Sequence, residues 1–403
     1  MQFSDVWVPY GAYWSSPFVA WQGSFATLPP IPFAAELTKR ALAERGIAPA
    51  QLDGLCFGTT IPSKHALYGA PWFAGLAGLE HLSGPTINQA CATSVRCIVE
   101  AAQELHAGSG AAWLAATADR TSNGPHIYYP DPTGPGGTGS AEDWVMDNFG
   151  RDPWAGNSML QTAENVAREA GITREAQEEL TLLRYAQYAR ALADDGAFLS
   201  KFMLRPVEVR DARGKKVLKT VTGDEGIFPT TRDGLAGLRP VLPDGTVTFG
   251  AQTHPADGNA AIVVVSSRGR ARAMSRTTGI DVQVLSYGQS RVKKGFMPMA
   301  TVPAARQALE RAGLTPRDLA SITSHNPFAV NDIYLSRELP FHPEKMNRHG
   351  SSLVWGHPQG PTGMRAIIEL IEDLVVQGGG YGLFTGCAAG DSAAALTIKV
   401  SVS

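Results

Sequence analysis

Two stretches of the chain, 267 residues apart, repeat one another without a gap. Residues 39–55 read KRALAERGIAPAQLDGL and residues 306–322 read RQALERAGLTPRDLASI. Each stretch predicts a helix that ends at a glycine, then a turn containing proline, then a strand. That order is common in α/β proteins, but a gapless match over 17 residues favours a duplication. The sequence therefore predicts an α/β protein built from two related halves.

The same offset brings Cys91 into register with a position one residue from His357. An apolar, helix-like stretch and then a strand follow each of them: SVRCIVEAAQELHAG after Cys91, and PTGMRAIIELIEDLVVQGG after His357. The free N–H groups of a helix start bind anions and stabilise a thiolate. If the halves are related by a pseudo-twofold axis, the two helix starts are expected to lie close together.

The chain between the two halves has a different character. It opens with the Gly- and Pro-rich run TSNGPHIYYPDPTGPGGTGSAEDW, continues through a predicted pair of helices, and ends in turn-rich sequence. We interpret residues 121–249 as an inserted domain that contributes contacts to the substrate. Residues 1–120 together with 250–270 then form the N-terminal half, and residues 271–403 form the C-terminal half.

Composition excludes several classes of function. The net charge is −2 and the pI is about 6.5, so no global field favours nucleic acid or an anionic membrane. No apolar run is long enough for a membrane span, and the first residues, MQFSDVWVPYGAYW, do not resemble a signal peptide. A cytoplasmic protein is the resulting expectation.

The cysteines indicate catalysis more than structure. Four cysteines in 403 residues do not make a disulfide framework, and their spacing is not that of a zinc site, so no metal site is predicted. Cys56 and Cys97 fit the ordinary role of small buried residues. Cys91 and Cys387 stand in different contexts, one at a helix start and one in the small-residue run TGCAAGD.

Over essentially the whole chain, these segments resemble the thiolase family. Seven pieces occur in the family's order: NQACATSVRC, TAENVAREAGITREAQEEL, GLAGLRPVLPDGTVTFGAQTHPADGNAA, GFMPMATVPAARQALERAGL, SHNPFAVND, NRHGSSLVWGHPQGPTGMR and GLFTGCAAGD. The resemblance is to an atypical member, similar to the sterol-carrier-protein and aromatic-degradation branch. It implies the five-layer αβαβα thiolase fold, made from two duplicated halves with an inserted loop domain that binds substrate and CoA.

The resemblance also implies a role for each reactive residue. Cys91 is expected to attack the carbonyl of an acyl-CoA and hold the acyl group as a thioester. His357 is expected to take the thiol proton, and Cys387 to act as acid and base. His325 is expected to bind a water that stabilises the enolate oxygen. The backbone N–H groups of Cys91 and Ala389 are expected to form an oxyanion site.

These residue types suit the chemistry independently of the resemblance. A thiol is mostly protonated at pH 7 and needs a base or a positive neighbour to become a good nucleophile. A histidine titrates in the useful range. Breaking a C–C bond next to a carbonyl forms an enolate, which requires placed hydrogen-bond donors. A second thiol can shuttle the proton.

Several positions bear on the substrate. The residues expected to contact it are Met159, Thr253, Phe328 and Trp355. The aromatic residues in and around the inserted segment are numerous, and we interpret them as a hint of a bulky or aryl 3-oxoacyl-CoA, such as benzoylsuccinyl-CoA. Departures from the family include Asn326-Pro327 after His325, where an acidic residue and alanine are common. Coenzyme A is expected as co-substrate, with no permanently bound cofactor.

Four functions remain open at this stage. The first is a degradative thiolase, and the second a condensing acyltransferase using the same chemistry. A retro-aldol lyase is disfavoured by Cys91, and a non-catalytic subunit by retention of the whole Cys/His set. By family analogy the chain is expected to form a homodimer or tetramer, and a small OB-fold zinc protein is a hypothetical partner.

Overall fold

The structure is a computed structural model that describes residues 1–211, 213–228 and 230–403. The α-helices of the described residues are α1 (Pro30–Glu44), α2 (Gly69–Ala77), α3 (Thr93–His106), α4 (Met146–Gly150), α5 (Met159–Glu169), α6 (Arg174–Ala191), α7 (Ala193–Ser200), α8 (Arg232–Ala236), α9 (Arg268–Met274), α10 (Thr301–Ala312), α11 (Ala329–Glu338), α12 (Ser352–Trp355) and α13 (Pro361–Val376). Among these described helices, none is long and apolar enough to cross a membrane.

The strands of the described residues are β1 (Trp7–Val8), β2 (Tyr13–Ser15), β3 (Val19–Ala20), β4 (Gly54–Gly58), β5 (Thr86–Ile87), β6 (Ala112–Arg120), β7 (His126–Tyr129), β8 (Ser140–Asp143), β9 (Val207–Arg210), β10 (Val217–Val221), β11 (Ala256–Val265), β12 (Ile280–Arg291), β13 (Leu319–His325), β14 (Gly379–Ala388) and β15 (Ser392–Val402). The main sheet has the order β13-β14-β15-β12-β1-β11-β6-β4-β5, with β2 and β3 paired to β11.

The two repeated stretches fold alike, as the alignment predicts. Helix α1 ends near Gly46 and leads through a short turn at Pro49 into β4, while α10 ends at Gly313 and leads through Pro316 into β13. Strand β4 is parallel to β6, which is antiparallel to β11. In the second half, β13 is parallel to β14, which is antiparallel to β15. The duplication therefore extends from sequence to topology.

Alternating residues of the strands separate two buried layers in each half. On β11, Ile262 and Val264 pack on the side of α3, and Val263 and Val265 pack on the side of α1 and α2. On β15, residues facing α13 alternate in the same way with residues facing α10. Helices α3 and α13 contact each other between the two halves. The arrangement is the predicted five-layer αβαβα fold.

The segment between β6 and β11 lies outside the main sheet. Its strands pair with each other, β7 with β8 and β9 with β10. Helix α6 packs against α11 and α12 of the C-terminal half. The segment is thus laid over the duplicated core, as expected of an insertion, while the domain limits at 121 and 249 stay a prediction.

Candidate active site

Four parts of the chain bring the predicted reactive side chains to one cavity. Cys91 lies in the turn before α3, and His357 lies in the turn before α13. His325 is the last residue of β13, and Cys387 lies near the end of β14. Because β13 and β14 are parallel, with His325 opposite Gly386, both strands end at the same edge. All four residues line one cavity of about 400 Å³.

Cys91 and His357 are in direct contact. The Cys91 Sγ lies 3.2 Å from His357 Nε2 and 3.5 Å from Gln359 Oε1. The other ring nitrogen of His357, Nδ1, lies 2.6 Å from the Thr362 hydroxyl oxygen in the first turn of α13. We assign the imidazole proton to Nδ1, donating to Thr362. The Nε2 lone pair then faces the Cys91 thiol.

The protonation of this pair differs from the sequence-based expectation. Burial raises the pKa of the Cys91 thiol to about 11, although the backbone N–H groups of Ala389 and of Cys91 itself pull it down. Burial, and next the neighbouring His325, hold the pKa of His357 well below its ordinary value. The helix start was expected to stabilise a thiolate, but loss of hydration outweighs it. The resting pair is therefore a neutral thiol beside a neutral imidazole.

His325 is oriented by a buried hydrogen-bond network. Its Nδ1 lies 2.9 Å from the hydroxyl oxygen of Ser352, which also accepts a hydrogen bond from the backbone N–H of Asn326. The ring stacks on His357 with centroids 4.1 Å apart. Burial lowers the pKa of His325 to about 3, so the ring is neutral at pH 7. Its Nε2 is buried and has no hydrogen-bond partner among the described residues, which leaves it free to accept a hydrogen bond from a water.

The Asn326 side chain extends this network into the inserted segment. Its amide nitrogen donates to Asp332 at 2.6 Å, and Asp332 is paired with the fully buried Arg184 of α6. The departure from the family's acidic residue at this position thus places a neutral amide where it bonds both Ser352 and Asp332. The sequence alone gave no sign of this connection.

Cys387 lies in an apolar environment. It is 1% exposed and belongs to a buried cluster with Met297, Phe328 and Val330. Burial raises the pKa of its thiol, and a hydrogen bond from Asn331 opposes the rise. The distance from Asn331 Nδ2 to Cys387 Sγ is 3.2 Å.

Of the four residues expected to contact substrate, three line the cavity. Met159, Thr253 and Phe328 line the cavity. Trp355 is not among the residues that line it. Its ring is fully buried, 4.4 Å from the Arg365 guanidinium and 5.3 Å from the Phe18 ring. The stacking of its flat ring on a buried cation holds Trp355 in the core.

Several residues that support the site were missed by sequence reasoning. Thr362 and Ser352 orient the two histidines, and Gln359 contacts the Cys91 sulfur. Asp119 ties the two halves together, because its carboxylate accepts from the backbone N–H groups of Thr60 and of Gly360 in the turn before α13. Only Thr362 carried a signal, its position at the start of the predicted helix that follows His357.

The inserted segment supplies much of the remaining wall. Trp144, Val145, Asn148 and Phe149 line the cavity, and the Trp144 indole N–H donates to the Thr60 carbonyl at 3.1 Å. The wall is mainly apolar, as expected for a pocket that holds an acyl chain.

The Cys91 sulfur and one ring nitrogen each of His325 and His357 lie within 4.8 Å of one another, which is close enough for three ligands of a single metal ion. The two imidazoles are stacked with 29° between their planes, so their lone pairs lie in two nearly parallel planes. Metal ligands must point at one centre. We assign no metal site.

A thiol facing an imidazole base, with backbone N–H groups beside the sulfur, defines a class of enzyme that uses a cysteine nucleophile. Comparisons with known proteins narrow the class. Residues 13–268 match the thiolase N-terminal domain, and residues 279–400 match the thiolase C-terminal domain. The chain belongs to the thiolase family, whose members are acyltransferases that use CoA as a substrate and hold no permanent cofactor.

Relatives cover nearly the whole chain. The acetyl-CoA acetyltransferase of Escherichia coli (strain K12) is 30% identical over 395 residues, covering 94% of this chain and 95% of that protein. The 3-ketoacyl-CoA thiolase of Bacillus subtilis (strain 168) is also 30% identical, covering 93% and 94%. Among solved structures, human mitochondrial 3-ketoacyl-CoA thiolase in complex with CoA has a TM-score of 0.88 at 26% identity, covering 99% of this chain and 98% of that one.

Proposed function

We propose that this chain catalyses the CoA-dependent cleavage of a 3-oxoacyl-CoA through an acyl thioester on Cys91. The observation that carries the proposal is the 3.2 Å contact between Cys91 Sγ and His357 Nε2, in a cavity that Cys387 also lines. A base, a nucleophile and a second proton carrier within one cavity are what this reaction requires.

The first half-reaction transfers the acyl group to the enzyme. The Cys91 proton passes to His357 Nε2 as the sulfur attacks the 3-oxo carbon. The oxyanion collapses, the bond between C2 and C3 breaks, and Cys387 gives its proton to the enolate carbon. The backbone N–H groups of Cys91 and Ala389 stabilise the oxyanion, and His325 supports the enolate oxygen through a water. The products are an acyl-Cys91 thioester and a shortened CoA ester.

The second half-reaction returns every group to its starting state. The Cys387 thiolate takes the proton of an incoming CoA thiol, whose sulfur attacks the acyl-Cys91 carbonyl. The Cys91 sulfur leaves and recovers its proton from the His357 imidazolium. No oxidant or reductant is needed. The low pKa of His357 makes its imidazolium a strong acid, which favours this proton return.

We further propose that the substrate carries a bulky or aryl acyl group. Benzoylsuccinyl-CoA is one candidate substrate. Aromatic and sulfur-containing side chains form the wall: Trp144, Phe149, Met159, Met297 and Phe328. Such side chains provide large apolar contact areas for a ring. A panel of 3-oxoacyl-CoA substrates tests this, and a preference for acetoacetyl-CoA over aryl substrates would contradict it.

A second candidate is condensation, the same chemistry in the direction of C–C bond formation. Relatives named acetyl-CoA acetyltransferase favour it. Assays from both sides separate the candidates. Cleavage must depend on free CoA, and a reaction that cleaves substrate without CoA would indicate a lyase instead.

A homo-oligomer remains part of the proposal. Strand β5 ends the main sheet, and close by Leu67 and Tyr68 are 94% and 65% exposed. An unpaired sheet edge beside apolar side chains favours association with a second copy. Sedimentation of the purified chain would test this, and co-purification would test the hypothetical OB-fold zinc partner.

Intact mass analysis after incubation with an acyl-CoA tests the central proposal. We expect an acyl adduct on Cys91 that disappears when CoA is added. Cys91→Ser should abolish the adduct, whereas Cys56→Ala, a change at a fully buried cysteine of β4, should retain it. An adduct that persists in Cys91→Ser would exclude Cys91 as the nucleophile.

A further inference from the structure

Cys387 has to exist both as a thiol and as a thiolate if it carries protons in the proposed reaction, and its surroundings oppose the charged form. The ionisable groups near it are Cys91, Asp332, and the cavity histidines His325 and His357. Cys91 and both histidines are neutral at rest, and the Asp332 carboxylate is paired with Arg184. None of these groups provides a positive charge that would hold a thiolate.

Asn331 is the side chain that bonds this sulfur. It lies in the first turn of α11, is 1% exposed, and places its amide nitrogen 3.2 Å from Cys387 Sγ. The amide oxygen of Asn331 is buried and has no hydrogen-bond partner among the described residues. An unpaired buried acceptor is costly, so an asparagine that keeps one requires an explanation.

We propose that Asn331 is a positioning residue for Cys387 that supports both protonation states of the thiol during the cycle. The inference rests on the proposed function of Cys387. Asn331 is not among the residues that line the cavity, and it acts through the Cys387 sulfur.

The chemistry of an amide explains why this side chain suits the position. An amide carries a donor and an acceptor on one planar group. In the contact shown, Nδ2–H donates to the sulfur and stabilises a thiolate. A rotation of the amide by half a turn brings Oδ1 to the sulfur, where it accepts the S–H of the neutral thiol. The oxygen left without a partner is the group that the thiol form would use.

The test measures the thiolate population of Cys387 directly. In a Cys91→Ser background, the rate of carbamidomethylation of Cys387 by iodoacetamide is followed at pH 9 by peptide mass spectrometry. Asn331→Leu keeps the volume and removes both hydrogen-bonding groups, and we expect the rate to fall about 10- to 100-fold. Asn331→Asp places a carboxylate at the sulfur, and we expect a fall at least as large.

Two results would overturn the proposal: equal rates with and without the Asn331 amide, or a Cys387 that does not react even in the background protein. Thermal unfolding reports whether Asn331→Leu folds, and the isosteric Asn331→Asp supplies the second variant if it does not. Because iodoacetamide replaces the substrate, failure here is distinct from failure of the thiolase proposal, which is read from the Cys91 adduct. In active protein, the same variants should slow deuterium exchange at the α-carbon of acetyl-CoA about tenfold or more.

Discussion

The turns that precede α3 and α13 occupy equivalent positions in the two halves, yet they hold their reactive residues in different ways. The Cys91 turn is closed by local contacts, since the Thr93 hydroxyl donates to the Ala90 carbonyl and accepts from the Gln89 N–H. The His357 backbone instead pairs with the segment that returns from the insertion, donating to the His254 carbonyl at 2.9 Å. The backbone of the proposed nucleophile is fixed by its own neighbours in sequence, and the backbone of the proposed base is fixed by a distant segment.

Each turn also contains one non-glycine residue with a positive φ angle, Ala90 at 47° and Gln359 at 59°. Such conformations are costly for residues other than glycine and persist where the surrounding structure enforces them. Ala90 precedes Cys91 by one residue, whereas Gln359 follows His357 by two, so the two turns carry this residue at different positions. The duplication supplied two helix starts, and a thiol and an imidazole face each other from turns of different local structure.

The largest expected effect comes from removing the base. His357→Asn keeps a polar side chain in the turn but cannot take the Cys91 proton, and kcat should fall about a thousandfold. Steady-state kinetics on a 3-oxoacyl-CoA measures this. The matched control is His106→Asn at the exposed end of α3, which should stay within about twofold of the parent. Comparable losses in both variants would contradict the assignment of His357 as the base.

The second prediction concerns the protonation of Cys91 beside His357, where we expect an effect of intermediate size on the reactivity of the thiol. Because the pKa of Cys91 is raised to about 11, its thiolate fraction without substrate should grow about tenfold per pH unit from pH 7 to pH 10. Alkylation of the Cys91 peptide by iodoacetamide should follow that slope. A rate that levels off near pH 7 would instead indicate a preformed thiolate–imidazolium pair.

The smallest effects are expected at two threonines, Thr362 at the start of α13 and Thr93 at the start of α3, and the two effects differ in kind. Thr362→Val leaves His357 without its partner at Nδ1, so kcat should fall about tenfold, with little change in KM. Thr93→Val removes two local hydrogen bonds, so the free energy of unfolding should fall by about 1–3 kcal/mol. Kinetics and urea denaturation of both variants provide the measurements, and similar behaviour of the two would argue against separate roles.

Much of this protein could be predicted from the sequence because its signals are local or repeated. The gapless match of residues 39–55 with 306–322 predicted two α/β halves, and both copies fold as a helix, a turn and a strand. The position of Cys91 and of His357 before an apolar helix predicted that both residues precede a helix. Family-like segments around His325 and Cys387 identified two further residues that line the same cavity.

The tertiary structure decided what depends on neighbours from distant parts of the chain. Whether a helix start lowers a thiol pKa depends on competing burial, and for Cys91 burial prevails. The direction of a large side chain depends on its partners, and Trp355 stacks on Arg365 instead of lining the cavity. Asn331 reaches Cys387 across 56 positions of sequence. The sequence determined which reactive groups lie at the ends of which helices and strands. Packing determined the charge and the contacts of those groups, because hydration and hydrogen bonding depend on everything that surrounds a group.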